Sequence, residues 1–312
     1  MKILTVTLNP AVDTRYKIDT LQTRSVNRVT NKVETAGGKG LNVSNVLKKL
    51  GTDIIATGFL GGKNGISIKS KLDEKGICHN FQEVKGETRT CMAIIDKDRK
   101  ITEILESGKK ITEEEKNNFL KKYEELILNV EIISISGSLP LGLDKDFYKF
   151  LIQKASKLGK KVILDTSGET LKEGIKGNPY LIKPNIDEIE YLLGKKVKNT
   201  SEVIEYANKI IKDGVSNVMV TLGGDGGLLI NKDYIYKGTV PKIKIKNTVG
   251  SGDSSVAGFI FGLFQELNFE EIFKYALACG TSNAILENTG DIDIKDVKNF
   301  MDKIKIERIK NT

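Results

Sequence analysis

The sequence predicts an α/β protein with a mostly parallel central sheet and helices on both faces. Two observations support this prediction. First, apolar runs of strand length alternate with segments of helical periodicity along most of the chain, a pattern typical of strand–helix–strand units. Second, two stretches at about 13–35 and 80–107 alternate polar and apolar residues, which predicts short antiparallel strands. We interpret these strands as a small β-sheet lid, inserted at about 13–35 and 86–107 into a single domain that spans 1–312.

The individual elements follow from the same periodicities. Segments with apolar residues three and four positions apart predict helices at 40–50, 65–75, 144–158, 186–193 and 201–213. The last third, 253–304, is predicted to form helices joined by turns at 268–270 and 288–292. Short apolar runs predict strands at 2–8, 53–59, 131–136, 161–167, 180–185 and 217–222.

Composition excludes several classes of protein. No run reaches the roughly 18 apolar residues of a membrane span, and the first ten residues lack the pattern of a signal peptide. We therefore expect a cytoplasmic protein without membrane contact. The three cysteines form no C-x-x-C pair, and there is one histidine. This argues against a disulfide framework and against a zinc site built on histidines.

The formal net charge of +8 raises the alternative of a nucleic-acid-binding protein. The excess is lysine, spread over predicted helix faces, whereas arginine, which binds phosphates and bases in a bidentate manner, is sparse. Solvated helix faces explain the charge better, and we expect no nucleic-acid partner.

Polar or glycine-rich residues follow five of the predicted strands. Ligands of parallel α/β sheets bind beyond the carboxyl ends of the strands, so these residues describe a site at one sheet edge. They are Asn9 and Asp13 after the first strand, and then residues 136–138, 165–168, 183–185 and 221–226.

The stretch GSGD at 250–253 is the strongest candidate for chemistry. Backbone N–H groups at a glycine-rich helix start form an anion hole, which the helix dipole strengthens. Asp253 is then either a base facing a bound anion or an N-cap for a helix at 254–265. The stretch AGGKGLNV at 36–43 provides a second such turn, where Lys39 adds a cation and Asn42 can bind hydroxyl groups.

Other side chains complete the candidate site. Asp13 can accept two hydroxyl hydrogen bonds, and Arg28 and Arg89 lie on the two predicted lid segments, where each can close on an anion. Asn185 and Glu188 lie one turn apart at a helix start, where they form either a hydrated Mg²⁺ site or an ordinary capping box. The chain has no G-x-x-x-x-G-K-[ST] and no G-x-G-x-x-G motif, which disfavours P-loop nucleoside triphosphatases and dinucleotide-dependent dehydrogenases.

Four of these motifs, in their order along the chain, resemble those of the ribokinase-like (PfkB) carbohydrate kinases: AGGKGLNVSNVLKKLG (36–51), KPNIDE (183–188), TLGGDG (221–226) and NTVGSGDSSVAGF (247–259). The resemblance implies a three-layer α/β/α fold with a β lid that often mediates dimerisation, here a homodimer. It implies ATP and Mg²⁺ as cofactors, with Asp253 as general base. It also implies an anion hole at Gly250, Ser251 and Gly252, and magnesium held through water by Asn185 and Glu188. The implied substrate contacts are Asp13, Arg28, Gly38, Lys39, Asn42, Arg89 and Ser138, and the implied ATP contacts are Lys183, Asn185, Thr221, Gly223, Gly224, Asp225, Gly226 and Gly252.

Within that family, TLNPAVD (7–13) and GGKG resemble the phosphosugar kinases. Lys39, Arg28 and Arg89 are more cations than an uncharged sugar needs, and they suit a second phosphate at the far end of the acceptor. GETRTCMAI (86–94) and TEILESG (102–108) look more like tagatose-6-phosphate kinases than 1-phosphofructokinases. We therefore expect tagatose 6-phosphate as acceptor, with fructose 1-phosphate as the alternative. A non-catalytic sugar-phosphate sensor on the same fold is a more distant alternative.

Overall fold

A computed structural model describes residues 2–98 and 100–309 of the chain, which form one large sheet and one small sheet. The large sheet has the strand order β15-β14-β13-β12-β11-β10-β9-β1-β4-β5, with β6 also paired to β4. Its strands are β1 Ile3–Thr7, β4 Ile54–Leu60, β5 Cys78–His79, β6 Gln82–Glu83, β9 Ile132–Ser136, β10 Lys161–Asp165, β11 Leu181–Ile182, β12 Asn217–Thr221, β13 Gly227–Asn231, β14 Ile235–Thr239 and β15 Lys305–Ile309.

All strand pairs from β12 across to β5 are parallel, which confirms the mostly parallel sheet. Strands β12 to β15 continue it as an antiparallel edge. That edge was not predicted. The strand predictions relied on strand–helix alternation, which is absent between β13 and β14. Strand β15 follows the last third of the chain, which was predicted to be helical. The segment at 81–84, expected within the antiparallel stretch at 80–107, pairs through β6 with β4 of the large sheet instead.

The helices form two layers, one on each face of the large sheet. Apolar side chains of α1, α2, α8, α9 and α10 share one buried core with the sheet, and those of α3 to α7 share the other. This arrangement confirms the three-layer α/β/α fold. The helices are α1 Lys39–Lys49, α2 Gly62–Glu74, α3 Glu113–Ile127, α4 Phe147–Ser156, α5 Gly168–Ile175, α6 Ile186–Leu193, α7 Thr200–Lys212, α8 Ser251–Phe264, α9 Phe269–Ala284 and α10 Ile294–Lys303.

Helix α8 is buried along most of its length, from Asp253 to Ile260 without a break. It packs so closely on α9 that a Cβ atom at Gly258 would overlap the backbone carbonyl of Tyr275. A helix that is apolar on all sides belongs in a protein core. The N-terminal turn of α8 is therefore held in a fixed position relative to the sheet.

The small sheet has the order β3-β2-β7-β8, with β2 Ala11–Lys17, β3 Asn31–Gly37, β7 Arg89–Ile95 and β8 Ile101–Leu105. Both outer pairs are antiparallel, as expected, but the central pair β2–β7 is parallel. The purely antiparallel prediction was wrong here, because two hairpins from distant parts of the chain meet side by side. In the parts of the chain that the structure describes, no helix combines the length and the apolar character that a membrane span requires.

Candidate active site

A cavity of about 590 Å³ lies between the large sheet and the inner face of the small sheet. Residues that follow β1, β9, β10 and β11 line it, together with Thr221 at the end of β12, the starts of α1, α6 and α8, and the strands β2, β3, β7 and β8. These parallel strands are neighbours in the sheet. Polar residues that are far apart in the sequence therefore meet at one edge, as the sequence predicts.

Asp253 lies at the floor of this cavity with 6% of its surface exposed. Helix α8 begins at Ser251, after Gly250 in the left-handed conformation (φ 83°), and no side chain caps it. The capping role for Asp253 was therefore wrong: it is the third residue of the helix, and its Oδ2 accepts a 2.8 Å hydrogen bond from Asn42 Nδ2. Burial, with the nearby Asp165 carboxylate, raises the pKa of Asp253 to about 6.

Only part of the turn that is predicted to bind an anion faces the cavity. Gly250 and Gly252 line the cavity. Ser251 belongs to the supporting structure, because its N–H donates to the Thr248 carbonyl and its Oγ accepts from Asn283 Nδ2. Gly252 and Asp253 occupy the first turn of α8, where N–H groups have no acceptor within their own helix. The N–H groups of Gly252 and Asp253 are therefore available donors of the turn.

Asp165, at the end of β10, bridges two lysines beside Asp253. Its Oδ1 accepts from Lys39 Nζ at 3.2 Å and pairs with Lys183 Nζ at 3.4 Å. Burial opposes ionisation of Asp165, but the Lys183 and Lys39 ammonium groups hold its pKa below its usual range. In turn, Asp165 raises the pKa of Lys39, so that both members of the pair are charged. Asp165 was expected at the sheet edge, but its pairing with the two lysines was not predicted.

Asp13 and Arg89 lie on the side of the cavity that the small sheet forms. Arg89 donates to the Asn9 carbonyl from Nε (3.2 Å) and Nη2 (2.9 Å), and to the Glu106 carbonyl from Nη1. Burial raises the pKa of Asp13 to about 6, although Arg89 opposes this shift. Asn9 was expected at this sheet edge but not as a substrate contact; its Nδ2 donates to Oγ of Ser138 at 3.2 Å, so the two side chains lie together.

Arg28 does not reach the cavity, and the expectation that it lies on a lid strand was wrong. It lies in the exposed loop between β2 and β3, because β2 ends at Lys17 and β3 begins only at Asn31.

Arg15, on β2, lines the cavity although it was not among the expected site residues. Its guanidinium donates to the Glu287 carbonyl and to Asn288 Oδ1, which ties the lid to the loop between α9 and α10. The polar–apolar alternation of β2 was the available signal, since Arg15 shares the face of Asp13.

Asn185 and Glu188 form a capping box at the start of α6. Asn185 Oδ1 accepts from the Glu188 N–H at 2.8 Å, and Glu188 Oε2 accepts from the Asn185 N–H at 2.9 Å. Both residues also line the cavity, and the box uses Oε2 of Glu188 but not Oε1. Within residues 2–98 and 100–309, no cluster of three or more His, Cys, Asp or Glu side chains is placed to hold a metal ion. The donor set therefore fits Mg²⁺ bound through waters and phosphates, which that ion prefers, rather than a full protein cage.

The predicted nucleotide-binding residues are divided between the cavity wall and its rim. Lys183, Asn185 and Thr221 line the cavity, and Asn185 and Thr221 are joined by an isolated β-bridge. Gly223, Gly224 and Asp225 form an exposed single-turn helix directly after Thr221. Gly226 closes that turn with φ 93°. The remaining predicted acceptor residues, Gly38, Lys39 and Asn42, also line the cavity, at the start of α1.

Comparison with known proteins identifies the family of this chain. The family model for pfkB family carbohydrate kinases matches residues 6–294. Phosphofructokinase-2 from Escherichia coli is 28% identical, with a TM-score of 0.90 over 97% of this chain and 98% of that chain. A Thermotoga maritima chain described as a possible 1-phosphofructokinase is also 28% identical, with a TM-score of 0.90 over 99% and 100% of the two chains.

A Staphylococcus aureus chain, provisionally described as a phosphofructokinase, is 33% identical, with a TM-score of 0.85 over 99% of this chain and 100% of that chain. These similarities extend over essentially the full length of each chain, and the family match includes every lining residue described above. The chain therefore belongs to the pfkB family of carbohydrate kinases, with a ribokinase-like fold.

Proposed function

We propose that this protein is an ATP-dependent kinase that phosphorylates a hydroxyl group of a ketohexose phosphate. The observation that carries the proposal is Asp253, a buried carboxylate beside free helix N–H groups at the floor of a cavity large enough for two substrates. A pKa of about 6 leaves this carboxylate ionised at neutral pH, yet basic enough to take a proton.

In the proposed reaction, Asp253 accepts the proton of the acceptor hydroxyl. The hydroxyl oxygen forms a bond to the γ-phosphorus of ATP, and the bond from that phosphorus to the β,γ-bridging oxygen breaks, releasing ADP. The N–H groups of Gly252 and Asp253 stabilise negative charge on the group in transfer. Asn42 keeps the Asp253 carboxylate oriented through its 2.8 Å hydrogen bond.

The substrates are assigned to opposite ends of the cavity. Asp13 is suited to accept hydrogen bonds from sugar hydroxyl groups, and Arg89, Ser138 and Asn9 are suited to bind the phosphate that the acceptor already carries. We assign ATP to the end formed by Lys183, Asn185, Thr221 and the turn at 223–226. Asn185 and Glu188 would hold Mg²⁺ through water, and that ion would neutralise charge on the ATP phosphates.

Tagatose 6-phosphate is the acceptor that the lid sequences favour, and fructose 1-phosphate is the second candidate. The 1-phosphofructokinase description of the T. maritima chain supports the second candidate. E. coli phosphofructokinase-2 has been solved in complex with fructose 6-phosphate, which adds a third acceptor to test.

We also propose a homodimer formed through the lid. Strand β8 is an edge strand of the small sheet and exposes Ile101, Ile104 and Leu105, at 47%, 48% and 61%. An exposed apolar edge strand is a typical site of association. E. coli phosphofructokinase-2 has a tetrameric inhibited form, and the molecular mass of this protein in solution, measured by light scattering, tests the proposed assembly.

A coupled assay of ADP release tests the catalytic proposal. The wild-type protein, ATP and Mg²⁺ are combined with each of the three ketohexose phosphates and with unphosphorylated fructose and tagatose. We expect kcat/KM to be highest for one of the phosphorylated sugars. Absence of turnover with all five sugars would contradict the proposal and favour the sugar-phosphate sensor.

A further inference from the structure

Arg89 and Lys39 both line the cavity, but their partners differ. Arg89 is fixed by the carbonyl groups of Asn9 and Glu106, and the carboxylate that it acts on is Asp13. Lys39 is instead paired with Asp165, and the other carboxylates that act on it are Asp253 and Glu188. Lys39 therefore lies among the groups assigned to proton and phosphoryl transfer.

A single carboxylate oxygen of Asp165 forms ion pairs with both Lys39 and Lys183. The carboxylate is 1% exposed, and its Oδ1 pairs with Nζ of Lys39 at 3.2 Å and with Nζ of Lys183 at 3.4 Å. The other oxygen, Oδ2, is buried and has no hydrogen-bond partner among the residues that the structure describes. The two ammonium groups exceed the charge of Asp165 itself, and the ionised Asp253 carboxylate faces them.

Lys183 connects this charged group to the anion-binding turn. Its Nζ would lie 3.1 Å from a Cβ atom at Gly252, so it passes directly beside the first turn of α8. A side chain at position 252 would occupy the space in front of the ammonium group. The two lysines and the N–H groups of Gly252 and Asp253 thus surround the same part of the cavity.

We infer that Lys39 contacts the phosphoryl group in transfer, and that Asp165 is the positioning residue that holds it there. This inference rests on the proposed kinase function, and it replaces the sequence-based expectation that Lys39 binds the phosphate already present on the acceptor. Lys39 transfers no proton: its ammonium group stabilises the charge on the equatorial oxygens while the phosphorus moves from ADP to the acceptor oxygen. Binding of the acceptor phosphate is left to Arg89.

Steady-state kinetics of Lys39→Met distinguish the two roles. We expect kcat to fall about 100-fold or more, in the range seen when one stabilising group of a transition state is removed, with less than a threefold change in the KM of the phosphosugar. Arg89→Met should instead raise that KM more than tenfold. Lys298→Met, at an exposed lysine on α10, is the matched control. A Lys39→Met protein with near-normal kcat and a phosphosugar KM raised tenfold would overturn the inference.

Calorimetry provides a readout without acceptor or turnover. ADP, Mg²⁺ and aluminium fluoride mimic the group in transfer, and their affinity is compared with that of ADP and Mg²⁺ alone. Lys39→Met should weaken the aluminium fluoride complex at least tenfold and the ADP complex less than threefold; equal effects on both would overturn the inference. Because no phosphosugar is present, this result stands apart from the acceptor assay, whose failure would contradict the proposed function instead.

A double-mutant comparison tests the positioning role of Asp165. If Asp165 acts on kcat partly through Lys39, then Asp165→Asn should lower kcat at least threefold less in the Lys39→Met background than in the wild type. Independent effects that multiply in the double variant would overturn that role. Thermal unfolding of each variant confirms that the compared proteins are folded.

Discussion

Asn42 Nδ2 donates a 2.8 Å hydrogen bond to Oδ2 of Asp253, joining the first turns of two helices whose bonded residues are 211 positions apart in the sequence. Asn42 is the fourth residue of α1 and Asp253 is the third of α8. A hydrogen bond to a buried carboxylate favours its ionised form. The bond therefore sets both the direction and the basicity of the proposed catalytic base.

Replacing Asn42 with alanine should raise the pH at which activity is lost. Hydrogen bonds to charged groups contribute about 1.5–3 kcal/mol, so we expect the midpoint of the acid limb to rise by about one to two pH units. The measurement is the profile of kcat between pH 5 and 9, with Asn129→Ala, at an exposed asparagine, as control. An acid limb at the wild-type position would show that this bond does not tune Asp253.

The acid limb of the wild-type enzyme should be steeper than that of one ionisation. Asp13 and Asp253 both have pKa values raised to about 6 by burial, and both must be ionised to bind and to deprotonate the acceptor. Activity therefore falls as the pH drops through about 6, and the slope of log(kcat/KM) should approach two. Asp13→Asn should lower the slope by one relative to the wild-type enzyme. The phosphate of the acceptor also titrates near pH 6, but it contributes equally to the profiles of the wild-type and variant enzymes. An unchanged slope would exclude Asp13 from the limb.

Asp253→Asn should stabilise the fold at neutral and alkaline pH. A carboxyl group whose pKa is raised on folding binds more protons in the folded state, so its contribution to stability falls as the pH rises from about 4 to about 6 and stays low above that. A rise from 3.8 to about 6 corresponds to about 3 kcal/mol at most. We expect a higher Tm for the variant at pH 8 and no gain near pH 4, with the exposed Asp302→Asn as control. A lower Tm at pH 8 would contradict the raised pKa.

Gly290→Ala should impair catalysis without contacting Asp253 directly. Gly290 has φ 60°, and a Cβ there would lie within 2.6 Å of the side chain of Asn42. Displacement of Asn42 should lower kcat about tenfold or more, since small misplacements of catalytic groups are costly. Gly194→Ala is the matched control, because φ is 67° and, apart from its own chain neighbours, no atom of the described residues lies within 4 Å of its Cβ position. If both variants lose the same activity, backbone strain rather than displacement of Asn42 is the cause.

The sheet and the position of the cavity could be predicted from the sequence. Parallel strands place their carboxyl ends at one edge, so Asp13, Lys183 and Thr221, which follow strands or end them, were expected near each other and do line one cavity. Local patterns also placed the start of α1 at 40 and that of α8 at 254, close to the observed first residues Lys39 and Ser251. These features depend on residues that are close in the sequence.

Other features depend on contacts that the local pattern does not specify. The alternation in β2 and β7 defines two faces for each strand but not the partner of the strand, so the parallel pairing was missed. Arg28 was placed on a strand because the polar alternation continued past the end of β2 at Lys17. The pairing of Lys39 with Asp165 joins residues 126 positions apart, and no sequence motif gives the direction of either side chain.

The central claim is that Asp253 is the catalytic base, and kcat of Asp253→Asn tests it most directly. In the coupled ADP-release assay at pH 8, with saturating phosphosugar, we expect kcat to fall about 10³-fold or more. The Kd for ATP, measured by calorimetry on the same protein, should change less than threefold. A variant that keeps near-normal kcat would show that Asp253 is not the base.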